Sequence, residues 1–182
     1  MISSGTLEVG PSQGTLLLHT SRGGMAKKVG HDLVIEAQRW TAKVDVDADD
    51  LTRSTASVTV DARSLEVVSG QGGAKPLTDK DRRDIKENID KKVLNTDKFP
   101  DITFTSSRVE ANGGGKVTVH GDLTIMGNAR PASMEMTVGD TKADGRMTVK
   151  QSDWGIKPFS ALMGTLKLAD SLDITVEATV PS

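Results

Sequence analysis

The chain of 182 residues contains no cysteine. That excludes disulfides, thiolate metal sites and cysteine nucleophiles. It also contains no tyrosine, only three phenylalanines and two tryptophans. A core built from it is aliphatic, supplemented by seven methionines, and it has no aromatic platform on which nucleobases could stack. Neither charge sign dominates: 23 Lys and Arg face 25 Asp and Glu, a net charge of −2. With no basic excess to hold a phosphate backbone, nucleic-acid binding is not expected. No apolar run approaches the roughly 20 residues of a membrane-spanning helix. The first residues, MISSGTLEVG, lack a basic stretch followed by an apolar one, so no signal peptide is visible and the sequence as written reads as a soluble cytoplasmic protein. The length suits a single domain over residues 1–182.

What the sequence does contain is alternation. Leu172, Ile174, Val176, Ala178 and Val180 are interleaved with Asp173, Thr175, Glu177 and Thr179. Successive strand side chains point to opposite faces, so this pattern predicts a strand buried on one side. The same period runs through residues 42–48, 56–60, 102–107, 117–125 and 134–138. Valine and threonine dominate these runs, as strands prefer. Asn112-Gly113-Gly114-Gly115 predicts a hairpin loop, Asp144-Gly145 predicts another, and the stretch from Gly127 to Pro131 predicts a break between a third pair. Many short strands joined by hairpins predict an all-β antiparallel sandwich or barrel, and the turns do not choose between them.

One segment has a different period. In TDKDRRDIKENIDKKVL, residues 78–94, Ile85, Ile89 and Val93 recur at spacing four and predict a helix with one narrow apolar stripe, lying outside the sheet or capping one end. Thr78 is its expected N-cap, with Asp79 and Asp81 in the first turn and Lys91 and Lys92 in the last. The mixed charges of Lys80 to Asp84 read as a solvated helix face. A second short helix is predicted from Pro158 to Met163. Glycines 70, 72 and 73 read as a loop before the long helix.

Candidate chemistry is sparse. The histidines His19, His31 and His120 have no ligand-type neighbours at metal-motif spacing, so no metal site is expected. His120 falls on the polar face of its strand and reads as solvated. His31 beside Asp32 is the one His–Asp pair, but adjacent strand residues face opposite ways. There is no G-x-S-x-G and no phosphate-loop glycine pattern. Ser152-Asp153-Trp154-Gly155 reads as a bend whose tryptophan plugs the core. These features predict no catalytic residues. An interior remains: a closed barrel of about eight strands can surround one small ligand, and inward aliphatics with Met126, Met134, Met136, Met147 and Met163 would suit an apolar one. The same side chains could equally fill a solid core.

Four segments, in order, resemble the YceI-like family of lipocalin-like proteins. Asp61-Ala62-Arg63-Ser64-Leu65 is similar to its "DA-x-S-I" element. Asp81-Arg82-Arg83-Asp84, followed by the run from Phe99 to Ser106, is similar to its arginine–aspartate helix and "FP-x-I-x-F-x-S". Gly121 to Gly127 with Pro131 is similar to "GxLTIxG-x-x-x-P", and Ser152 to Ile156 to "SDFGI" with Trp154 in place of the phenylalanine. The double phenylalanine that the family carries before "FP" is missing, and the N-terminal third matches only loosely. The resemblance implies an antiparallel lipocalin-like barrel with one main helix beside it. It also implies a non-enzymatic binding or carrier protein with no cofactor and an apolar tunnel for a polyisoprenoid, an isoprenoid quinone or a fatty amide. Members are often periplasmic or secreted. The expected wall comprises Phe104, Val119, Leu123, Ile125, Met134, Met136, Trp154, Ile156, Phe159 and Met163, with His31 and Asp153 as polar groups near an opening. The expected partners are that small amphiphilic lipid and, through an exposed edge strand, a second copy in a homodimer. Alternatives are a structural or protein-interaction barrel with a filled core, or an enzyme on a lipid-like substrate using His31 or Asp153 as base.

Overall fold

A computed structural model describes residues 3–23, 30–161 and 166–180. In chain order it comprises β1 (Gly5–Val9), β2 (Gly14–His19), β3 (Arg22–Gly23), β4 (Asp32–Ala37), β5 (Trp40–Val46), β6 (Thr55–Asp61) and β7 (Leu65–Gln71). Then follow α1 (Asp79–Asn88), β8 (Asp101–Gly113), β9 (Lys116–Ile125), β10 (Asn128–Val138), β11 (Lys142–Lys150), β12 (Ser160–Ala161), β13 (Leu166–Leu168) and β14 (Ser171–Thr179). Eleven strands form one sheet in the order β1-β5-β6-β8-β9-β10-β11-β14-β2-β4-β7, and β12, β13 and β3 form a small second sheet. Every pairing among the described residues is antiparallel. The main sheet curls into a lipocalin-like half-barrel with β1 and β7 as its two edges. The expected count of about eight strands is therefore low.

Two corners make the curl. The chain turns sharply between β4 and β5 at residues 38–39 and between β6 and β7 at residues 62–64. The corners are tied together: Gln38 N–H donates to the Ser64 carbonyl at 3.0 Å, Asp61 N–H to the Arg39 carbonyl at 3.0 Å, and the buried Ser64 hydroxyl to the Asp61 carbonyl at 2.7 Å. The β4–β7 ribbon is thereby carried over to pair with β2, far from the β5–β6 ribbon that precedes the corner. Here the "DA-x-S-I"-like stretch has a structural task. Asp61 accepts from the Arg63 N–H at 2.9 Å and from the Arg39 guanidinium at 2.9 Å.

The helix starts where expected. Thr78 and Asp81 form a reciprocal capping box. Two side chains of α1 reach β7 and the corner before it: the Arg82 guanidinium donates to the Val67 carbonyl of β7 at 2.7 Å and the Lys86 ammonium to the Arg63 carbonyl of the corner at 2.9 Å. Edge carbonyls left free would invite another strand. The charged run is thus not simply solvated. Beyond Asn88 the helix widens into a π-helical turn, Ile89–Val93.

Three local expectations are corrected. Asp144 and Gly145 lie inside β11; the hairpin turns at residues 139–141 instead. Pro131 lies inside β10, opposite Asp122 of β9, and the turn is Met126–Gly127, both with positive φ (51° and 75°). β11 pairs with β10 only from Glu135 onward, so Pro131 lies where β10 is an edge on that side, a place a proline tolerates. No helix starts at Pro158. The turn of helix comes earlier, at Gln151–Trp154, and Ser160–Ala161 is a strand. Residues 162–165, with Met163, fall outside the described residues.

Asp173 of β14 ties two strands together. It accepts from the Thr148 hydroxyl at 2.5 Å and from the Arg146 guanidinium at 2.6 Å, both on β11. These bonds, the hydroxyl first, hold its carboxyl below the ordinary aspartate value of 3.8. A depressed folded-state pKa contributes stability above the unfolded value, and that contribution is lost as pH falls through the folded one. Asp173→Asn should therefore lower the urea midpoint at neutral pH, with the deficit shrinking progressively as pH falls below the ordinary aspartate value toward the depressed folded one. A deficit that does not change with pH across the acid range would refute the assignment.

Candidate functional site

Alternation puts one face of every main-sheet strand inside the curl. On β9 the inward residues are Val117, Val119, Gly121, Leu123 and Ile125, and the outward ones Thr118, His120, Asp122 and Thr124. The inner faces do not fill the interior. They enclose a cavity of about 840 Å³, lined mainly by apolar side chains, most of them aliphatic. The size lies within the usual range of small-molecule pockets.

The wall has a packed part and a hollow part. Trp40, Val60, Leu65, Leu94, Leu123, Ile125, Trp154 and Ile156 are all buried in the core cluster. They gather where β5 and β8 begin and where β6, β9 and β11 end. Leu16, Leu18, Val58, Val119, Met134, Ile174 and Val176 also point inward but are only half-buried, because across the barrel they meet space. The helix contributes to the wall directly. Its stripe Ile85, Ile89 and Val93 faces the cavity, so α1 closes the half-barrel as well as packing beside it.

The two indoles differ. Trp154 is 4% exposed and donates from Nε1 to the Leu123 carbonyl at 2.9 Å. Its backbone carbonyl accepts from Asn128 at 3.1 Å, and Gly155 follows in the left-handed region with φ 75°. The Ser152-Asp153-Trp154-Gly155 bend thus plugs the packed end, and its tryptophan also reaches the cavity. Trp40 is 5% exposed, and its Nε1 has no hydrogen-bond partner among the described residues.

Charged lining residues gather in one place. Arg22, His31, Lys75, Asp81 and Asp84 meet where β3, the start of β4, the residue 72–78 loop and the first turns of α1 come together. Arg22 donates to both Asp32 carboxylate oxygens, at 3.1 and 3.3 Å, and to the Gly30 carbonyl at 2.9 Å. His31 Nε2 lies 2.7 Å from the Lys75 carbonyl oxygen. His31 and Asp32 therefore serve different partners, and the aspartate does not orient the imidazole. Glycines 72 and 73, both with positive φ, lie flat against the Arg22 guanidinium and the His31 ring, with no room there for a side chain. Gly70 belongs to the end of β7 and not to that loop.

Of the residues singled out from sequence, Phe104, Val119, Leu123, Ile125, Met134, Met136, Trp154, Ile156, Phe159 and His31 are on the cavity wall. Asp153 is not. It is exposed in the turn before Gly155, and its backbone carbonyl accepts from Arg130 at 3.1 Å. Met163 lies outside the described residues. Met147 is on the wall and buried, whereas Met126 is taken up by the β9–β10 turn. His120 is half-buried on the outer face, 2.7 Å from the Ser133 hydroxyl and 3.2 Å from Glu110. Its contact to Glu110 is the main cause holding that carboxyl below its ordinary value. The three form a cross-strand polar row, not part of the cavity. Sequence reasoning passed over the N-terminal wall, Leu7, Val9, Leu16 and Leu18, and the helix stripe. The alternation of Leu7 and Val9 with Thr6 and Glu8 could have signalled the first of these.

A curled antiparallel sheet around an apolar cavity, closed by one helix, defines a lipocalin-like barrel. The chain belongs to the YceI-like family, whose domain model matches residues 18–180. The fold is similar to that of BcnA of Burkholderia cenocepacia, with a TM-score of 0.72 over 92% of this chain and 96% of that one at 21% identity. It is also similar to the YCEI protein of Campylobacter jejuni, with a TM-score of 0.59 over 81% of this chain and 85% of that one at 19% identity. At such identities the likeness concerns the fold alone. By sequence, a UPF0312 protein of Shewanella baltica is 33% identical over 94 residues, which cover 46% of this chain and 48% of the relative. One of Pseudomonas putida is 32% identical over a stretch covering 47% of its length. The match spans about half the length of these curated relatives. Among the described residues, no helix is long and apolar enough to cross a membrane.

The two tryptophans give a stability test. Trp154→Phe removes the donor to a β9 carbonyl and loses volume at the packed end, so it should cost about 2 kcal/mol. Trp40→Phe removes a buried donor that already lacks a partner and should cost about half as much or less. Urea denaturation of both variants measures this, and equal losses would contradict the contrast.

Proposed function

We propose that the protein binds an amphiphilic lipid with a long apolar chain in the barrel cavity and acts as a carrier or sequestering protein, without catalysis. The ligand would be a polyisoprenoid, an isoprenoid quinone or a fatty amide. The observation that supports this most is the cavity of about 840 Å³ with its aliphatic wall and its charged residues gathered at one side. An apolar chain would gain roughly 25 cal/mol for each Å² removed from water, less the cost of ordering it. The polar group of the ligand would lie near His31, Arg22 and the start of α1. Family membership supports a binding role in the same way. Asp32 is paired with Arg22 and does not back the His31 imidazole, and Asp153 is exposed away from the cavity, which favours a binding role over the enzymatic alternative.

Protein purified from its native host, extracted with organic solvent and examined by mass spectrometry should yield one lipid class in near-stoichiometric amount. Val119, half-buried and flanked by Met134 and Val109, points into the hollow part. Val119→Trp should therefore abolish uptake of a fluorescent long-chain lipid while leaving the circular dichroism spectrum unchanged. An extract without lipid, together with undiminished uptake by Val119→Trp, would overturn the proposal.

A further inference from the structure

One stretch of the cavity wall is built differently from the rest. On three adjacent strands, Met136 of β10, Gly145 of β11 and Val176 of β14 stand side by side in register. Gly145 is an inward-facing position, between Ala143 and Met147, with no side chain. The gap is not empty. A methyl group placed on Gly145 would collide with the Met136 sulfur and lie 2.9 Å from the Met134 sulfur and 2.8 Å from Val176 Cγ1. Both thioethers therefore fold into a notch that the glycine leaves. A glycine inside a strand weakens it and commonly marks close approach by another group. Here the group is a pair of methionine ends.

Met134 and Met136 remain half-buried cavity-wall residues, whereas Met147, the next inward residue on β11, is 6% exposed. Methionine is unbranched and turns easily about its bonds, so its thioether can lie in the notch or swing into the lumen. With both sulfurs in the notch, the lumen beside β10 and β11 is at its widest; with either one out, a chain passing that level meets it.

We infer that Met134 and Met136, seated in the Gly145 notch, set how long an apolar chain the cavity accepts. This rests on the lipid-binding reading above and adds the determinant of chain length. The residues act by packing alone. A methyl group at position 145 takes the place of the sulfurs and forces them inward, shortening the usable cavity. Removing the Met136 side chain extends it.

The test is a homologous series of alkyl amides, from octanamide through dodecanamide to hexadecanamide, titrated into the full chain and followed by calorimetry. Gly145→Ala should weaken hexadecanamide binding about tenfold or more and leave octanamide within about threefold of wild type. Met136→Ala should move the preference toward the longer amides, and this second variant decides the matter if Gly145→Ala does not fold. Folded variants with the wild-type length profile would overturn the role of the methionines while leaving lipid binding intact. A wild-type protein that binds no member of the series would overturn the length determinant, and with a lipid-free extract of the native protein it would overturn the lipid-binding reading as well.

Discussion

The inner face of one large antiparallel sheet has to be kept from water, and this chain has little bulk with which to fill the space that the sheet encloses. With three phenylalanines, two tryptophans and no tyrosine, the inward positions fall to valine, leucine, isoleucine, alanine and methionine. Such side chains reach only a short way from the backbone. Where the wall is pinched by the two corners, and where both tryptophans are spent, the opposite sides meet and the core is dense. Elsewhere they do not meet. The cavity is thus the counterpart of the aromatic poverty: a curled sheet of this girth, faced with aliphatics, stays hollow along part of its length.

The edges follow from the same constraint. A sheet that curls without closing leaves two border strands. The chain covers one of them with a helix whose Arg82 binds a β7 carbonyl, whose Lys86 binds the corner just before β7, and whose apolar stripe completes the wall. One segment thereby answers two needs, edge protection and closure of the lumen. The charged first turns of that helix bring Asp81 and Asp84 to the place where Arg22, His31 and Lys75 already lie. The lining is therefore polar at one side and apolar through the rest, the polarity expected around an amphiphile.

Much of the fold was legible residue by residue. The period of two marked most long strands, and Thr78 with the spacing of Ile85, Ile89 and Val93 marked the helix. Two of the misreadings share one cause. Asp144-Gly145 and the Gly127 to Pro131 stretch read as turns by their local chemistry, but each is governed by what lies across the sheet. Gly145 is small because methionine sulfurs occupy its side-chain space, and Pro131 is tolerated because β11 does not reach it. Asp153 reads from sequence as a polar group near the opening, beside a core tryptophan. The helical turn instead sends the two side chains to opposite destinations, solvent and core.

By itself, the sequence determined the strand-rich class, the inward set of side chains and their chemical character, because alternation and composition are properties of the chain alone. Only the tertiary structure decided whether those side chains would meet. That depends on the girth of the curl, on the two corners that carry β4 and β7 around, and on the helix laid over the edge. None of these is a local property: each arises from pairings between residues far apart in the chain, and the space between walls belongs to no residue.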